Sequence, residues 1–140
     1  MKKRTLVSQV MSRDITAIHR GMRLSEAYDF LRATPFHHLP VVEGRRPVGM
    51  ISSSDFLRLV YAAEATGTTP IARLLDDRYS VDDAMSSEIR SLPQTATVHD
   101  AAELLSDGEA HSVVIVDDRG ELVGIVTTTD LVRYLRDQSR

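Results

Sequence analysis

The hydrophobic positions of the chain change from a helical spacing to short continuous runs, and they do so twice. Apolar residues three and four positions apart, from Leu24 to Leu31 and from Val98 to Leu105, predict two amphipathic helices. After each helix come two short runs rich in Val and Ile with a polar turn between them, which is typical of paired strands. The runs are 39–42 and 47–51 in the first half, and 113–116 and 122–126 in the second.

A leading strand and a closing amphipathic helix complete each half. We expect the leading strands at 15–18 and 89–92, and closing helices that carry Phe56 and Leu59 in the first half and Leu131 and Leu135 in the second. The order is therefore β-α-β-β-α, twice. It predicts a mixed α/β (α+β) fold in which two repeats, related by a pseudo-twofold axis, form one compact module.

The residues themselves repeat as well as the pattern. Gly49–Asp55 and Gly124–Asp130 each contain a glycine, two apolar residues, three hydroxyl residues and an aspartate. Upstream residues also match at a constant offset, as Met11 does with Met85. The repeats span 7–61 and 81–137, and residues 62–80 have no counterpart in either. We predict that this stretch is a connector, with a short helical turn at 71–75 after a helix-breaking segment.

Composition narrows the class of protein. The 140 residues are 42% hydrophobic, enough for one ordinary core, and 17 basic against 20 acidic residues give a net charge of -3. Without a basic face and with few aromatic side chains, nucleic-acid binding is not expected. The chain has no cysteine, which excludes disulfides and thiolate chemistry. No apolar run approaches about 18 residues, so we expect a cytoplasmic protein without membrane contact.

We also expect neither an enzyme nor a metal site, and so no catalytic or metal-ligating residues. No serine lies in a G-x-S-x-G elbow, and neither glycine motif continues into the Gly-Lys-Ser/Thr of a P-loop. His37 and His38 are neighbours in a predicted strand and point to opposite faces, with no carboxylate beside them at ligand spacing. An uncommonly small enzyme is the weakest alternative.

Two interpretations fit the repeated hydroxyl–aspartate spacing, Ser52-x-x-Asp55 and Thr127-x-x-Asp130. One is structural, because a hydroxyl followed three residues later by a carboxylate forms a helix capping box, as Thr97 and Asp100 also can. The other is functional. A helix N-terminus after a strand offers amides and a hydroxyl to an anion, and an aspartate there can accept both hydrogen bonds of a ribose diol.

The chain resembles a tandem pair of cystathionine-β-synthase (CBS) domains, an arrangement called a Bateman module. The resemblance rests on the segment His37–Val42 and on the two glycine-to-aspartate motifs, and it covers nearly everything except the termini and the connector. It implies a stand-alone regulatory protein that senses an adenosine-containing ligand. That ligand would be AMP, ADP, ATP or S-adenosylmethionine, and no other cofactor is required.

The resemblance also implies two ligand-binding clefts built across the repeats, with Asp55 and Asp130 on ribose. In the first, His38 and Arg90 favour more phosphate, and in the second Phe36 lies against a base, with a nucleoside or monophosphate as ligand. The first cleft comprises Ser52, Asp55, His38, Met85, Arg90 and Ala110, and the second comprises Thr127, Asp130, Ser112, Met11, Thr16 and Phe36. Val114 stands where the family usually has a proline, as at Pro40, which affects the geometry of that strand.

Apolar helix surface predicts self-association. Leu59, Tyr61 and Tyr134 are expected to leave apolar area on the closing helices, so we expect a homodimer. The regulated protein is not identified by the sequence, since no catalytic or transport domain is attached. The main alternative is a structural or interaction protein whose clefts are empty and whose activity is dimerisation.

Overall fold

The structure is a computed structural model that describes residues 4–64 and 70–139. The chain divides into two compact units. One unit comprises residues 16–88 and contains most of the first repeat, and we call it the repeat-1 unit. The other combines the chain up to Ile15 with the chain from Ile89 onward, and we call it the repeat-2 unit.

The repeat-1 unit packs four helices on a three-stranded sheet of order β1-β2-β3, in which β1 and β2 are parallel and β2 and β3 antiparallel. Its core includes Ile18, Leu39, Val41, Ile51 and Phe56, all nearly inaccessible to solvent. The elements are β1 Ile18–His19, α1 Leu24–Arg32, β2 His38–Glu43, β3 Arg46–Ser52, α2 Ser53–Glu64, α3 Ile71–Arg78 and α4 Val81–Ala84.

The repeat-2 unit has the same sheet arrangement, with order β4-β5-β6. Val113, Ile115 and Val126 pack against Ala101 and Leu105 in its core. The elements are a 3₁₀ turn Val7–Gln9, β4 Ser91–Pro93, α5 Val98–Leu105, β5 Ser112–Val116, β6 Leu122–Thr127 and α6 Thr128–Gln138. Among the described residues, no helix has the length and apolar character that crossing a membrane requires.

The predicted β-α-β-β-α order is confirmed in both units, and so is the mixed α/β class. The hairpin turns lie where they were expected, with Gly44 at φ 64° and Gly120 at φ 78°, a conformation that favours glycine. The predicted leading strands at 15–18 and 89–92 were wrong in extent, since β1 and β4 are shorter and begin later. An apolar run marks burial, whereas a strand also needs a hydrogen-bonded neighbour, and only these shorter segments pair with β2 and β5.

The predicted helical turn at 71–75 is longer than expected, because α3 continues to Arg78. It contacts both α1 and α2. Leu75 is fully buried in the core of the repeat-1 unit, and Leu74 is nearly so. The second half of the connector is therefore part of the first repeat's packing.

Each repeat donates its first segment to the unit of the other repeat. Val7 and Met11, which begin the first repeat, are buried in the core of the repeat-2 unit. Val81 and Ala84, which begin the second repeat, are buried in the core of the repeat-1 unit. Backbone hydrogen bonds repeat this arrangement: Ser12 pairs with Ile125 in one unit and Ser86 with Met50 in the other. The sequence repeats and the packing units thus have different boundaries.

The expected apolar surface is partly corrected by the structure. Leu59 is buried, with 4% of its surface exposed, because it lies on the side of α2 that faces the core. Tyr134 is half-buried, and its hydroxyl is hydrogen-bonded to Thr5 at 2.8 Å. Tyr61 is exposed as expected. The large exposed apolar residues of α2 and α6 are Leu57, Tyr61, Val132 and Leu135.

Candidate functional site

Each unit contains a sharp junction at which the last strand of its sheet passes directly into a helix. In the repeat-2 unit, the Asp130 amide donates to Thr127 Oγ1 at 3.1 Å, and the Thr127 amide donates to Asp130 Oδ2 at 2.8 Å. In the repeat-1 unit, the Asp55 amide donates to Ser52 Oγ at 3.2 Å, and the Ser52 amide donates to Asp55 Oδ2 at 2.8 Å. The capping-box interpretation of both motifs is therefore confirmed as geometry.

The two carboxylates differ in their remaining contacts. Asp55 Oδ2 also accepts a hydrogen bond from Ser52 Oγ at 2.9 Å. Asp130 keeps only 14% of its side chain exposed, and its Oδ1 lies 4.0 Å from Arg133 Nη1. In each carboxylate the second oxygen lies outside the capping box. That oxygen is the group a ligand hydroxyl can reach without breaking the cap.

The first backbone amide of α2 and that of α6 are each hydrogen-bonded to the loop that precedes the neighbouring strand. Ser53 donates its backbone N–H to the His37 carbonyl at 2.8 Å, and Thr128 donates its own to the His111 carbonyl at 3.0 Å. The amides of Ser54 and Thr129, the second residues of the two helices, take no part in these bonds or in the caps. A helix N-terminus attracts negative charge, and these amides are the donors it presents.

A polar residue lies directly across the sheet from each capping hydroxyl. The register of β2 and β3 pairs His38 with Ser52, and that of β5 and β6 pairs Ser112 with Thr127. Opposed residues of an antiparallel pair point to the same face, so their side chains are neighbours. Within each unit the structure thus brings together the capping hydroxyl, the aspartate and the cross-strand residue that were predicted.

Met11 and Met85 lie against the glycines that open the two motifs. A Cβ added to Gly49 would be 2.6 Å from Met85 Sδ, and one added to Gly124 would overlap Met11 Sδ. Both methionines belong to the exchanged leading segments. Met11 therefore packs in the repeat-2 unit, which contains the Thr127–Asp130 junction, and Met85 packs in the repeat-1 unit, which contains the Ser52–Asp55 junction. The sequence prediction assigned the two methionines to these same junctions.

Arg90 is engaged within its own unit. Its guanidinium forms a bidentate pair with Asp107, at 3.1 and 2.9 Å, and donates to the Leu104 carbonyl at the end of α5. Glu109 lies 3.7 Å away. The hydrogen bond from Arg90 is the main reason why the pKa of Asp107 lies below its ordinary value of 3.8, and the Glu109 amide adds to the effect. The positive charge of Arg90 is thus paired with the carboxylates of Asp107 and Glu109, which lie between α5 and β5.

The other predicted site residues are divided between the units. Thr16 and Phe36 belong to the repeat-1 unit, and Phe36 has 40% of its surface exposed. Ala110 and Arg90 belong to the repeat-2 unit. The composition of each cleft across the two repeats stays a prediction. No group of three or more His, Asp or Glu side chains in the described ranges could hold a metal ion.

Two features of the junctions were missed by the sequence analysis. The carbonyls of His37 and His111 hold the two helix starts, and a backbone group leaves no side-chain signature beyond the repeated histidine. The second is Arg133 on α6, an exposed residue whose guanidinium lies beside the Asp130 carboxylate. The spacing of three residues on a helix was the signal for that contact.

Two stretches of the chain, residues 7–62 and 81–137, match the sequence model of the CBS domain. The chain belongs to the CBS domain family. It is a CBS pair, as the resemblance in the glycine-to-aspartate motifs predicted. The first residues of both matched stretches are the exchanged segments, so each CBS repeat of the sequence is completed structurally by the start of the other.

Proteins similar to this CBS pair come from several different organisms. A CBS domain-containing protein of Dictyostelium discoideum is 29% identical over 139 residues, covering 94% of this chain and 92% of that protein. The structure of CBSX2 in complex with AMP is 23% identical, with a TM-score of 0.79, and the match covers 97% of this chain and 99% of that one. CBSX2 is a CBS-pair protein of Arabidopsis thaliana. These likenesses establish the fold.

A further similar structure is the CBS domain pair of MJ0100 in complex with 5′-methylthioadenosine and S-adenosyl-L-methionine. It is 25% identical, with a TM-score of 0.74, and the match covers 96% of this chain and 98% of that one. Other curated relatives are longer. The chain spans about half, 46%, of the protein MJ1225 of Methanocaldococcus jannaschii, and 23% of a homoserine O-acetyltransferase of Methanohalophilus mahii.

Proposed function

We propose that this CBS pair is a stand-alone, non-catalytic regulatory protein that binds an adenosine-containing ligand. The observation that carries the proposal is the duplicated junction, in which a capped helix start, an aspartate with a spare oxygen and a cross-strand polar residue meet twice. A carboxylate can accept the hydrogen bonds of a ribose diol, and free helix-terminal amides can donate to a phosphate or a carboxylate. Each junction supplies both.

The similar structures support this ligand class. CBSX2 was crystallised with AMP, and the MJ0100 pair with 5′-methylthioadenosine and S-adenosylmethionine. These molecules share a ribose and an adenine, and they differ at the 5′ position. We therefore propose AMP, ADP, ATP or S-adenosylmethionine as the regulatory ligand, with no other cofactor required.

The two clefts are proposed to differ in preference. His38 faces Ser52 across the first sheet, where a protonated imidazole would favour phosphate. Ser112 occupies that position in the second sheet, so the second cleft suits a nucleoside or monophosphate, with Phe36 against the base. The preference of the first cleft rests more on His38 than on Arg90, because Arg90 is held by Asp107.

The proposed role is that of a sensor in the cytoplasm. Ligand occupancy would change how the CBS pair packs with a second copy of the chain or with a regulated protein. The Dictyostelium relative, which this chain nearly spans, supports an independent CBS pair, whereas MJ1225 and the acetyltransferase are much longer chains. None of these three relatives identifies the regulated protein.

Paired aspartate substitutions test the ligand proposal. Asp130→Ala should weaken binding by about 2 kcal/mol, or about 30-fold, because two charge-assisted hydrogen bonds to the diol are lost. It should also cost about 1 kcal/mol of unfolding free energy through the lost cap. Asp55→Ala should behave in the same way at the other junction. Isothermal titration calorimetry with AMP, ATP and S-adenosylmethionine measures the affinity.

The chain contains a matched control for each substitution. Thr97 and Asp100 form the same capping box as Thr127 and Asp130, but at the start of α5, away from any strand end. Ser80 and Asp83 likewise match Ser52 and Asp55 at the start of α4. Asp100→Ala and Asp83→Ala should lower stability and leave affinity unchanged. If Asp130→Ala and Asp55→Ala also leave affinity unchanged, the ligand proposal is wrong.

A second candidate function is an interaction module that acts through self-association. The apolar residues left exposed on α2 and α6, Leu57, Tyr61, Val132 and Leu135, favour it. We propose a homodimer in either case, because dimerisation and ligand binding are compatible.

A further inference from the structure

The loop between α5 and β5, residues 106–111, links an ion pair at one end to the Thr127–Asp130 junction at the other. Asp107 lies near its start and pairs with Arg90. Its end, His111, accepts hydrogen bonds from both the amide and the hydroxyl of Thr128, at 3.0 and 3.4 Å. The position of the α6 N-terminus therefore depends on this loop.

The Arg90 end of the loop is anchored to the sheet. The Arg90 carbonyl accepts a hydrogen bond from the Val114 amide at 2.9 Å, which fixes the backbone of Arg90 against β5. From that base the guanidinium reaches the Leu104 carbonyl and both oxygens of Asp107. Only 27% of the Arg90 side chain is exposed. A bidentate pair on a fixed base restrains the loop in direction as well as in distance.

Asp107 also organises the turn inside the loop. Its Oδ1 accepts the Glu109 amide at 3.0 Å, and Gly108, at φ 76°, supplies the left-handed residue that the turn needs. One carboxylate thus holds Arg90 on one side and the backbone leading to His111 on the other.

The first repeat has no ion pair at the positions that correspond to Arg90 and Asp107. The positions that correspond to Arg90 and Asp107 are Thr16 and Ala33, which cannot form an ion pair. Its loop is tied to α1 instead by Thr34, whose amide and hydroxyl both donate to the Leu31 carbonyl, at 3.3 and 3.1 Å. The carbonyl of His37 holds Ser53 in the same way as in the second repeat. The start of the closing helix is thus hydrogen-bonded to a histidine carbonyl at both junctions. Of the two loops that carry these histidines, the one in the second repeat is anchored by an ion pair.

We propose that Asp107 is a positioning residue for the Thr127–Asp130 ligand site, acting through Arg90 and the 106–111 loop, and that it has no such role at the Ser52–Asp55 site. The inference rests on the proposed ligand function. It makes affinity at one of the two sites depend on an ion pair that the other site does not have.

Single-site backgrounds test this role with AMP as the probe, or with S-adenosylmethionine if that is the ligand bound. Asp55→Ala leaves the Thr127–Asp130 site to be measured, and Asp130→Ala leaves the other. Asp107→Asn should weaken binding about three- to fivefold in the Asp55→Ala background, the effect expected of one exposed bidentate pair. The loss should be smaller in the Asp130→Ala background, where Arg90 and Ala110 are predicted ligand contacts but the helix start is held by the His37 carbonyl. Asp107→Glu, which keeps the carboxylate, should restore much of the loss.

Two further measurements separate positioning from general stability. Amide hydrogen exchange at Thr128 in the ligand-free protein should become faster in Asp107→Asn. The control is Asp137→Asn, which removes the similarly exposed contact of Asp137 with Arg136 on α6, and it should change neither exchange nor affinity.

The outcomes that would overturn the inference are distinct. An equal loss of affinity in both backgrounds, or none in either, means that Asp107 does not position the Thr127–Asp130 site. A gain in AMP affinity in the Asp130→Ala background means that Asp107 competes with the ligand for Arg90 instead. If AMP and S-adenosylmethionine binding ignores both Asp55 and Asp130, the proposed function fails and the positioning role falls with it.

Discussion

At the scale of single residues, the same capping box of a hydroxyl residue and an aspartate occurs at the starts of four helices, with different consequences. Capping boxes occur at the starts of α2, α4, α5 and α6, with nearly the same distances. At α4 and α5 they only begin a helix. At α2 and α6 they follow a strand, so that a cross-strand neighbour, His38 or Ser112, lies beside the hydroxyl. The chemistry of the motif is the same in all four, and its position decides what a ligand can reach.

Close packing at the motif glycines gives a prediction at the same scale. Gly49→Ala should lower the unfolding free energy by about 1–3 kcal/mol, because the new Cβ would lie 2.9 Å from the Ser86 carbonyl, a backbone atom. Denaturant unfolding measures the change. Gly21→Ala is the control, since nothing lies within 4 Å of the added carbon there. Equal stability of the two variants would contradict this account of Gly49.

At the scale of the elements, the connector helix α3 supplies a cap that α1 lacks. In the second repeat, Thr97 and Asp100 cap α5, but the corresponding residues of the first repeat are Arg23 and Glu26, which pair with each other. The start of α1 is capped instead by Asp76 of α3. Its carboxylate accepts the Ser25 amide at 2.9 Å and the Ser25 hydroxyl at 2.6 Å. The connector thus supplies the cap in the repeat whose own residues do not form one.

Asp76→Asn should destabilise the repeat-1 unit by about 1 kcal/mol at neutral pH. Burial acts to raise the pKa of Asp76, but the hydrogen bonds from Ser25 and the charge of Arg23 outweigh it and hold the pKa below 3.8. A lowered pKa stabilises the folded state above the unfolded-state pKa of about 3.9, and that stabilisation is lost as the pH falls through the folded-state pKa. The difference between wild type and variant should therefore shrink at about pH 3.

Urea unfolding at the two pH values measures this effect. Asp77→Asn is the control, because Asp77 is exposed on the same helix and makes only a 3.8 Å contact with Arg73. It should stay within about 0.5 kcal/mol of wild type. A difference for Asp76→Asn that is the same at both pH values would mean that its charge is not what stabilises α1.

At the scale of the whole molecule, the exposed apolar residues predict self-association. Leu57 and Val132 occupy corresponding positions on α2 and α6, and 68% and 60% of their surfaces are exposed. Burying such surface against a second copy is favourable, at about 25 cal/mol per Å² of apolar area. We expect twice the mass of the chain in sedimentation equilibrium at tens of micromolar.

Charge on these helices should disrupt the dimer. Leu57→Asp and Val132→Asp should shift the mass towards that of a single chain, because an aspartate cannot be buried in an apolar contact without large cost. Ile71→Asp on α3, where 40% of the surface is exposed, should leave the mass unchanged. A single-chain mass for the wild-type protein would rule out this assembly.

The sequence by itself determined the local elements and the capping. The helical spacing of apolar residues located α1 and α5, and the short runs rich in Val and Ile located the paired strands, because such patterns mark the residues that are buried. Glycine in the hairpin turns and the hydroxyl–aspartate spacings indicated where chains reverse and helices begin. All of these depend on residues close together in the chain, and all are present in the structure. The family followed from the same motifs.

Only the tertiary structure decided which segments complete which core. The leading segments look alike in sequence, as Met11 and Met85 show, so each is compatible with either repeat, and local pattern cannot choose between them. The structure places each with the other repeat, where its methionine packs on the motif glycine. The Arg90–Asp107 and Ser25–Asp76 contacts also join residues distant in the chain. Their positions depend on how the helices pack, which single-residue spacing does not encode.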